Sequence, residues 1–184
     1  FKHTSFSGNV ASSSAGITGG GGDFVFTASD STTVLDHEIE KYSSSSGELW
    51  AWVEVPTLSV SKDTSIYVYY GGPSTGATNQ DPSGTWDANY VGVWHMSDLL
   101  DSTSGARTLT NSSASITTSK IGDGGDVEQS TANSAFYTGS VPTTATNNIT
   151  MSAWARPETS AQNGVILAQG DEPSDGYTLA HGGC

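Results

Sequence analysis

The 184-residue chain carries 6 Lys+Arg against 19 Asp+Glu, a formal net charge of −13, with 22 Gly and a single Cys. That excess of carboxylate without any basic cluster repels phosphate backbones and anionic membrane surfaces, so nucleic acid is a poor partner. No run approaches the ~20 consecutive apolar residues of a membrane-spanning helix, so membrane insertion is not expected. The lone Cys184 can close no intrachain disulfide, and Cys/His metal spacings are absent.

Good helix formers are scarce, and the chain opens on Phe1 and closes on Gly182-Gly183-Cys184 directly after a strand-like run. We therefore expect a piece of a longer, secreted precursor. Ser5 to Gly22 is dominated by Ser and Gly and reads as loop or weak strand. Short period-2 runs bounded by turn formers follow: Phe24 to Thr27, Val34 to Tyr42, Glu48 to Val55 and Thr64 to Tyr70. Residues 73–87, between Gly72 and Ala88, are rich in turn formers and poor in apolar residues, and are expected to be a linker. Strand signals resume at Tyr90 to Met96, Thr108 to Leu109, Ser115 to Thr118, Asp126 to Gln129, Ala135 to Tyr137, Ile149 to Arg156, Val165 to Gln169 and Tyr177 to Ala180. The pattern predicts an all-β protein of two antiparallel β-sandwich modules, residues 1–72 and 88–184.

Strand alternation sorts the first module's residues into faces. Ile39, Leu49/Ala51/Val53/Val55 and Ile66/Val68 form an aliphatic set suited to a core. The opposite set holds Glu38/Glu40, Trp50/Trp52/Glu54 and Tyr67/Tyr69. Indole and phenol rings stack on the apolar faces of sugars, and carboxylates accept hydrogen bonds from sugar hydroxyls, so this set is a candidate carbohydrate platform. The competing expectation is that a neighbouring sheet or domain covers the same aromatic face. Glu38 and Glu40 also have the spacing of a glycosidase pair, but a solvated strand bearing edge-protecting charges accounts for them more simply.

Asp123, Asp126 and Glu128, among the glycines of Ile121 to Glu128, are candidate calcium ligands, as are Asp98/Asp101 and Asp171/Glu172/Asp175. Each is also explained by an Asp accepting N–H bonds within its own turn, and the spacing is not that of an EF-hand. The histidines His3, His37, His95 and His181 are scattered, without a Gly-x-Ser-x-Gly elbow or an i, i+4 partner. His95, between Trp94 and Met96, is expected to pack near the core.

Two segments carry resemblances. Gly22-Asp23-Phe24-Val25-Phe26-Thr27, His37-Glu38-Ile39-Glu40, Leu49 to Pro56 and Ile66 to Gly71 resemble a bacterial family of extracellular β-domains without an assigned function, over residues 1–72. Tyr90 to Met96, Asp101-Ser102, Lys120-Ile121-Gly122 and Ile149 to Trp154 are similar to the laminin-G-like branch of the concanavalin A-like lectin/glucanase superfamily, over residues 88–184. The second resemblance implies a truncated jelly-roll, glycan binding or adhesion, and calcium. The acidic catalytic strand of the superfamily's glucanases is missing, with Ser152, Trp154 and Arg156 on the alternating face. The resulting expectation is a non-catalytic, extracellular or cell-surface module that binds glycan or polysaccharide. The alternatives are a self-assembling fibre, surface or virion component that pairs with its own copies or neighbouring domains, and an accessory part of a polysaccharide-degrading enzyme.

Overall fold

The computed structural model describes residues 2–3, 21–72, 79–127, 136–139, 149–157, 164–169 and 177–181. They fall into two compact units, Phe1–Ser140 and Val141–Cys184. The protein is nearly all β, and every strand pairing is antiparallel.

The first unit holds β1 (Lys2–His3), β2 (Val25–Thr27), β3 (Val34–Leu35), β4 (His37–Ser43), β5 (Glu48–Val53) and β6 (Tyr67–Tyr69). A one-turn helix, α1 (Pro82–Thr85), follows, then β7 (Thr110–Ser112), β8 (Ser115–Thr118), β9 (Asp123–Asp126) and β10 (Phe136–Thr138). Two three-stranded sheets result, ordered β1-β5-β4 and β3-β2-β6, together with the pairs β7–β10 and β8–β9. The second unit contains the hairpin of β11 (Gly164–Gln169) and β12 (Tyr177–His181), with a register shift between Val165 and Leu167.

The two three-stranded sheets share one core. Phe24, Phe26, Leu35, Ile39, Tyr42, Leu49 and Ala51 are buried in it, and Ala28, Val53, Ile66 and Val68 pack against it. The aliphatic set expected from alternation is therefore the inner face, except Val55, which lies beyond β5 and lines a surface cleft. Aromatic contacts cross the core, with Phe24 edge-on to Tyr42 at 5.2 Å and Phe26 tilted against His37 at 5.0 Å. His37 is fully buried, its Nδ1 3.4 Å from the Leu35 carbonyl and its Nε2 without a partner. Burial holds its imidazole below the usual histidine range, so the ring sits in the core as a neutral aromatic.

One irregularity sets the outer face. β4 and β5 pair Ile39 with Ala51 and then Lys41 with Trp50, leaving Glu40 as an extra residue in a β-bulge. Inward positions on β4 therefore run Ile39 and then Tyr42, three apart instead of two. Glu38, Glu40 and Lys41 are left on the side facing away from the core.

The first unit runs through the segment expected to be a linker, and residues 79–87 are tied to the strands. The Asp81 N–H donates to the His37 carbonyl at 3.0 Å, and the Ile39 N–H donates to Gln80 Oε1 at 2.5 Å. Asp81 caps α1 by accepting from the Gly84 N–H at 2.9 Å, and Pro82 occupies the first turn, where a missing N–H costs nothing. Turn-forming residues here encode a docked helical turn.

The strand expected at Tyr90 to Met96 does not form. Its backbone bonds go instead to a loop: the Val93 N–H donates to Asp101 Oδ1 at 3.0 Å, the Ser102 N–H donates to the Val93 carbonyl at 2.9 Å, and Met96 has φ 62°. No strand occurs within residues 149–157 either, where one was expected.

The division of faces makes a direct prediction. Phe26→Ala, which empties a fully buried ring site, is expected to cost about 3–5 kcal/mol in urea unfolding. Tyr69→Ala, on the outer face of β6 and 47% exposed, is expected to cost less than ~1 kcal/mol.

Candidate functional site

The outer face of β4 and β5 carries the densest cluster of chemical groups among the described residues. Glu38 lies directly opposite Trp52 in the ladder, where cross-strand side chains meet. The bulge residue Glu40 joins them, its Oε2 accepting from Trp52 Nε1 at 2.6 Å.

The segment after α1 folds over this face. Trp86 Nε1 donates to Glu38 Oε2 at 2.7 Å, and Ser102 Oγ donates to Glu38 Oε1 at 2.6 Å. His95 bridges both carboxylates, with Nε2 3.0 Å from Glu38 Oε2 and Nδ1 3.4 Å from Glu40 Oε2. Both ring nitrogens face carboxylate oxygens, an arrangement that suits the doubly protonated imidazolium. Burial alone would lower the His95 pKa, but hydrogen bonds and charge attraction from Glu38 and Glu40 override it and raise the value to about 9. For Glu38, burial favours the neutral acid, yet the His95, Ser102 and Trp86 bonds hold the carboxyl below its usual range. Glu38 is thus held as an anion at neutral pH, the state of the ionised member of a glycosidase pair and not of its acid.

Asp101 positions the covering segment. Its carboxylate accepts from the N–H groups of Val93 (3.0 Å), Thr103 (3.0 Å) and Arg107 (3.2 Å) and from Thr103 Oγ1 (2.9 Å). Arg107 Nη1 lies 3.6 Å away. One anion thereby fixes the loop that presents His95 and Ser102 to Glu38. Trp94, pinned by its Nε1–H bond to the Arg107 carbonyl at 3.0 Å, lies over Gly92. A Cβ at Gly92 would come within 2.3 Å of that ring, so the close approach requires glycine.

Beside the hub, Trp52 and Trp86 rings meet at 5.2 Å, Tyr90 stands edge-on to Trp86 at 4.9 Å, and His95 stacks on Trp52 at 6.0 Å. Trp52, Trp86 and Tyr90 open onto a cleft of about 370 Å³ whose lining also includes Glu54, Pro56 and Asp87.

The expected site residues are distributed as follows. Glu38, Glu40 and Trp52 come together. Trp50 shares their sheet, and its Nε1 donates to Glu48 Oε1 at 2.8 Å. Tyr67 and Tyr69 lie on β6, in the sheet on the far side of the core, with exposures of 46% and 47%. The four aromatics therefore do not form one platform, because β6 pairs with β2 rather than β5. Asp123 and Asp126 both lie on β9, an odd number of residues apart, which directs them to opposite faces. Glu128 and Asp171/Glu172/Asp175 lie outside the described residues. Among the described residues no group of three or more His, Cys, Asp or Glu side chains is arranged to hold a metal ion; Glu38, Glu40 and His95 meet, but the imidazole turns both its nitrogens to the carboxylates. Asp98 accepts from the Leu100 N–H at 2.9 Å, and Asp101 likewise serves its own loop.

Trp86, Tyr90, His95 and Ser102 were not expected here. They lie 48 to 64 residues from Glu38, a separation that leaves no periodic trace. The one local signal is the density of aromatics in Trp86 to Trp94.

The hub makes stability depend on pH. His95 has a folded pKa of about 9, against about 6.5 unfolded. Its contribution is fully present below ~6.5 and is lost as pH rises through ~9. The depressed Glu38 works in the opposite sense, contributing above the ordinary glutamate range and losing that contribution as pH falls. Urea unfolding from pH 6 to pH 10 is expected to show wild type losing on the order of 3 kcal/mol more than His95→Gln. Parallel curves for the two proteins would remove His95 as the cause. Asp101→Ala, which orphans several buried donors, is expected to cost about 3 kcal/mol or more at pH 7 in the same assay.

A family model described as a domain of unknown function, DUF2341, matches residues 20–114. The matched span includes β2 to β6, α1 and every residue of the hub. No curated protein matches the chain, and no solved structure does.

Proposed function

We propose, for a chain that belongs to the DUF2341 family of domains of unknown function, that it serves as a non-catalytic carbohydrate-binding or adhesion module of a larger extracellular protein. The observation that carries this reading is the cleft beside the hub. Trp52, Trp86 and Tyr90 line it together with Glu54 and Asp87, so flat apolar rings stand next to hydrogen-bond acceptors. A pyranose has the complementary chemistry, with an apolar ring face ringed by hydroxyl donors. The hub holds two of the rings in place before any ligand arrives, which lowers the ordering cost of binding. The laminin-G-like resemblance of the second half points to the same class of ligand, while residues 88–114 belong to the DUF2341 match and residues 88–140 to the first unit.

The hub itself supports binding rather than catalysis. Its carboxylates are engaged by His95, Trp52, Trp86 and Ser102.

The test is a glycan array followed by titration with soluble polysaccharides, read by tryptophan fluorescence. Wild type is expected to bind with dissociation constants in the ~10 μM to 1 mM range, about −7 to −4 kcal/mol. Tyr90→Ala, at the half-exposed rim, is expected to weaken binding about tenfold while the unfolding midpoint shifts little. Absence of binding to every saccharide would overturn the proposal.

A further inference from the structure

The cleft has a charge character that narrows its ligand. Glu54 and Asp87 both line it, and among the described residues no Lys or Arg belongs to the lining. The His95 imidazolium, stacked on Trp52, is paired with Glu38 and Glu40. Asp87 accepts from the backbone and side-chain N–H groups of Asn89, at 2.8 and 3.1 Å, and these neutral donors leave its negative charge in place. The chain as a whole carries −13. Two carboxylates that have no ion-pair partner among the described residues, beside three electron-rich rings, form a site for a cation, since an ammonium group gains both from a ring face and from a nearby carboxylate.

Resting on the carbohydrate reading above, we infer that the Trp52–Trp86–Tyr90 cleft selects saccharides bearing a free amine, with the sugar ring on the aromatic faces and the ammonium group toward Glu54 and Asp87. A neutral sugar would satisfy the rings and give the carboxylates hydroxyl donors, but would leave their charge without a counter-charge. An acidic sugar would be repelled. An amino sugar engages both parts of the lining at once, which a lysine side chain, having no flat apolar ring face, does not.

Calorimetric titration of the full chain with three β-linked oligosaccharides of equal length tests this: glucosamine, N-acetylglucosamine and glucose. The glucosamine oligomer is expected to bind about tenfold tighter than the other two at low salt. The preference should shrink as sodium chloride is raised, because it rests on partly exposed charges. Glu54→Gln, which removes the charge but keeps a hydrogen-bond acceptor, should reduce the preference for the glucosamine oligomer over the neutral ones to about threefold or less, and Asp87→Asn provides the same readout if the first variant fails to fold. Equal binding of all three oligomers, or a preference unmoved by both substitutions, overturns the amine selectivity and leaves the carbohydrate reading standing. Binding of a lysine-rich peptide as tight as that of the glucosamine oligomer also overturns it. Failure of every saccharide to bind, in this titration and on the array, overturns both.

Discussion

Two carboxylates placed side by side on a partly buried strand face each lose several kcal/mol of hydration, and they repel one another, unless a cation and hydrogen-bond donors meet them. His95 supplies the cation to both Glu38 and Glu40, and the indoles of Trp52 and Trp86 with the Ser102 hydroxyl supply the donors. The other features of the outer face follow from this exchange. Residues far apart in the chain are drawn onto one strand pair, and the segment from Trp86 to Ser102, which lacks regular secondary structure, is held by side chains where a sheet would be held by its ladder.

Asp101 does for the loop what His95 does for the strand. Three backbone N–H groups, which in a regular strand would bond across a ladder, converge on its carboxylate. An extended segment can thus satisfy its polar backbone without joining a sheet. The two anion-centred clusters are coupled, because Ser102 adjoins Asp101 in sequence and donates to Glu38 in space. The cleft beside them inherits their rigidity.

The inner face was legible because its information is local. Leu49, Ala51 and Val53 alternate at period 2, and Ile66 and Val68 do the same, so each strand declares its own core side. What alternation does not encode is which strand lies beside which. Tyr67 and Tyr69 have the same outward pattern as Trp50 and Trp52, yet β6 pairs with β2, and the two aromatic sets face away from each other across the core. The run Tyr90 to Met96 looks like a strand for a similar reason: its apolar residues satisfy the pattern, while the decisive partner is the carboxylate of Asp101, several residues downstream. His95 illustrates the limit most clearly. Its sequence neighbours, Trp94 and Met96, suggest a packed ring, whereas its charge state is set by residues more than fifty positions away.

The extra residue in β4 can also be viewed as an edit to the chain. Strike Glu40 from His37-Glu38-Ile39-Glu40-Lys41-Tyr42 and the strand returns to strict alternation, with His37, Ile39 and Tyr42 still pointing inward. The shorter strand would satisfy the hydrophobic core equally well. The inserted residue serves the opposite surface alone, giving His95 its second carboxylate and the Trp52 indole its acceptor. Folding and surface chemistry thus impose separable demands on this strand, the first met by its inward side chains and the second by one added position.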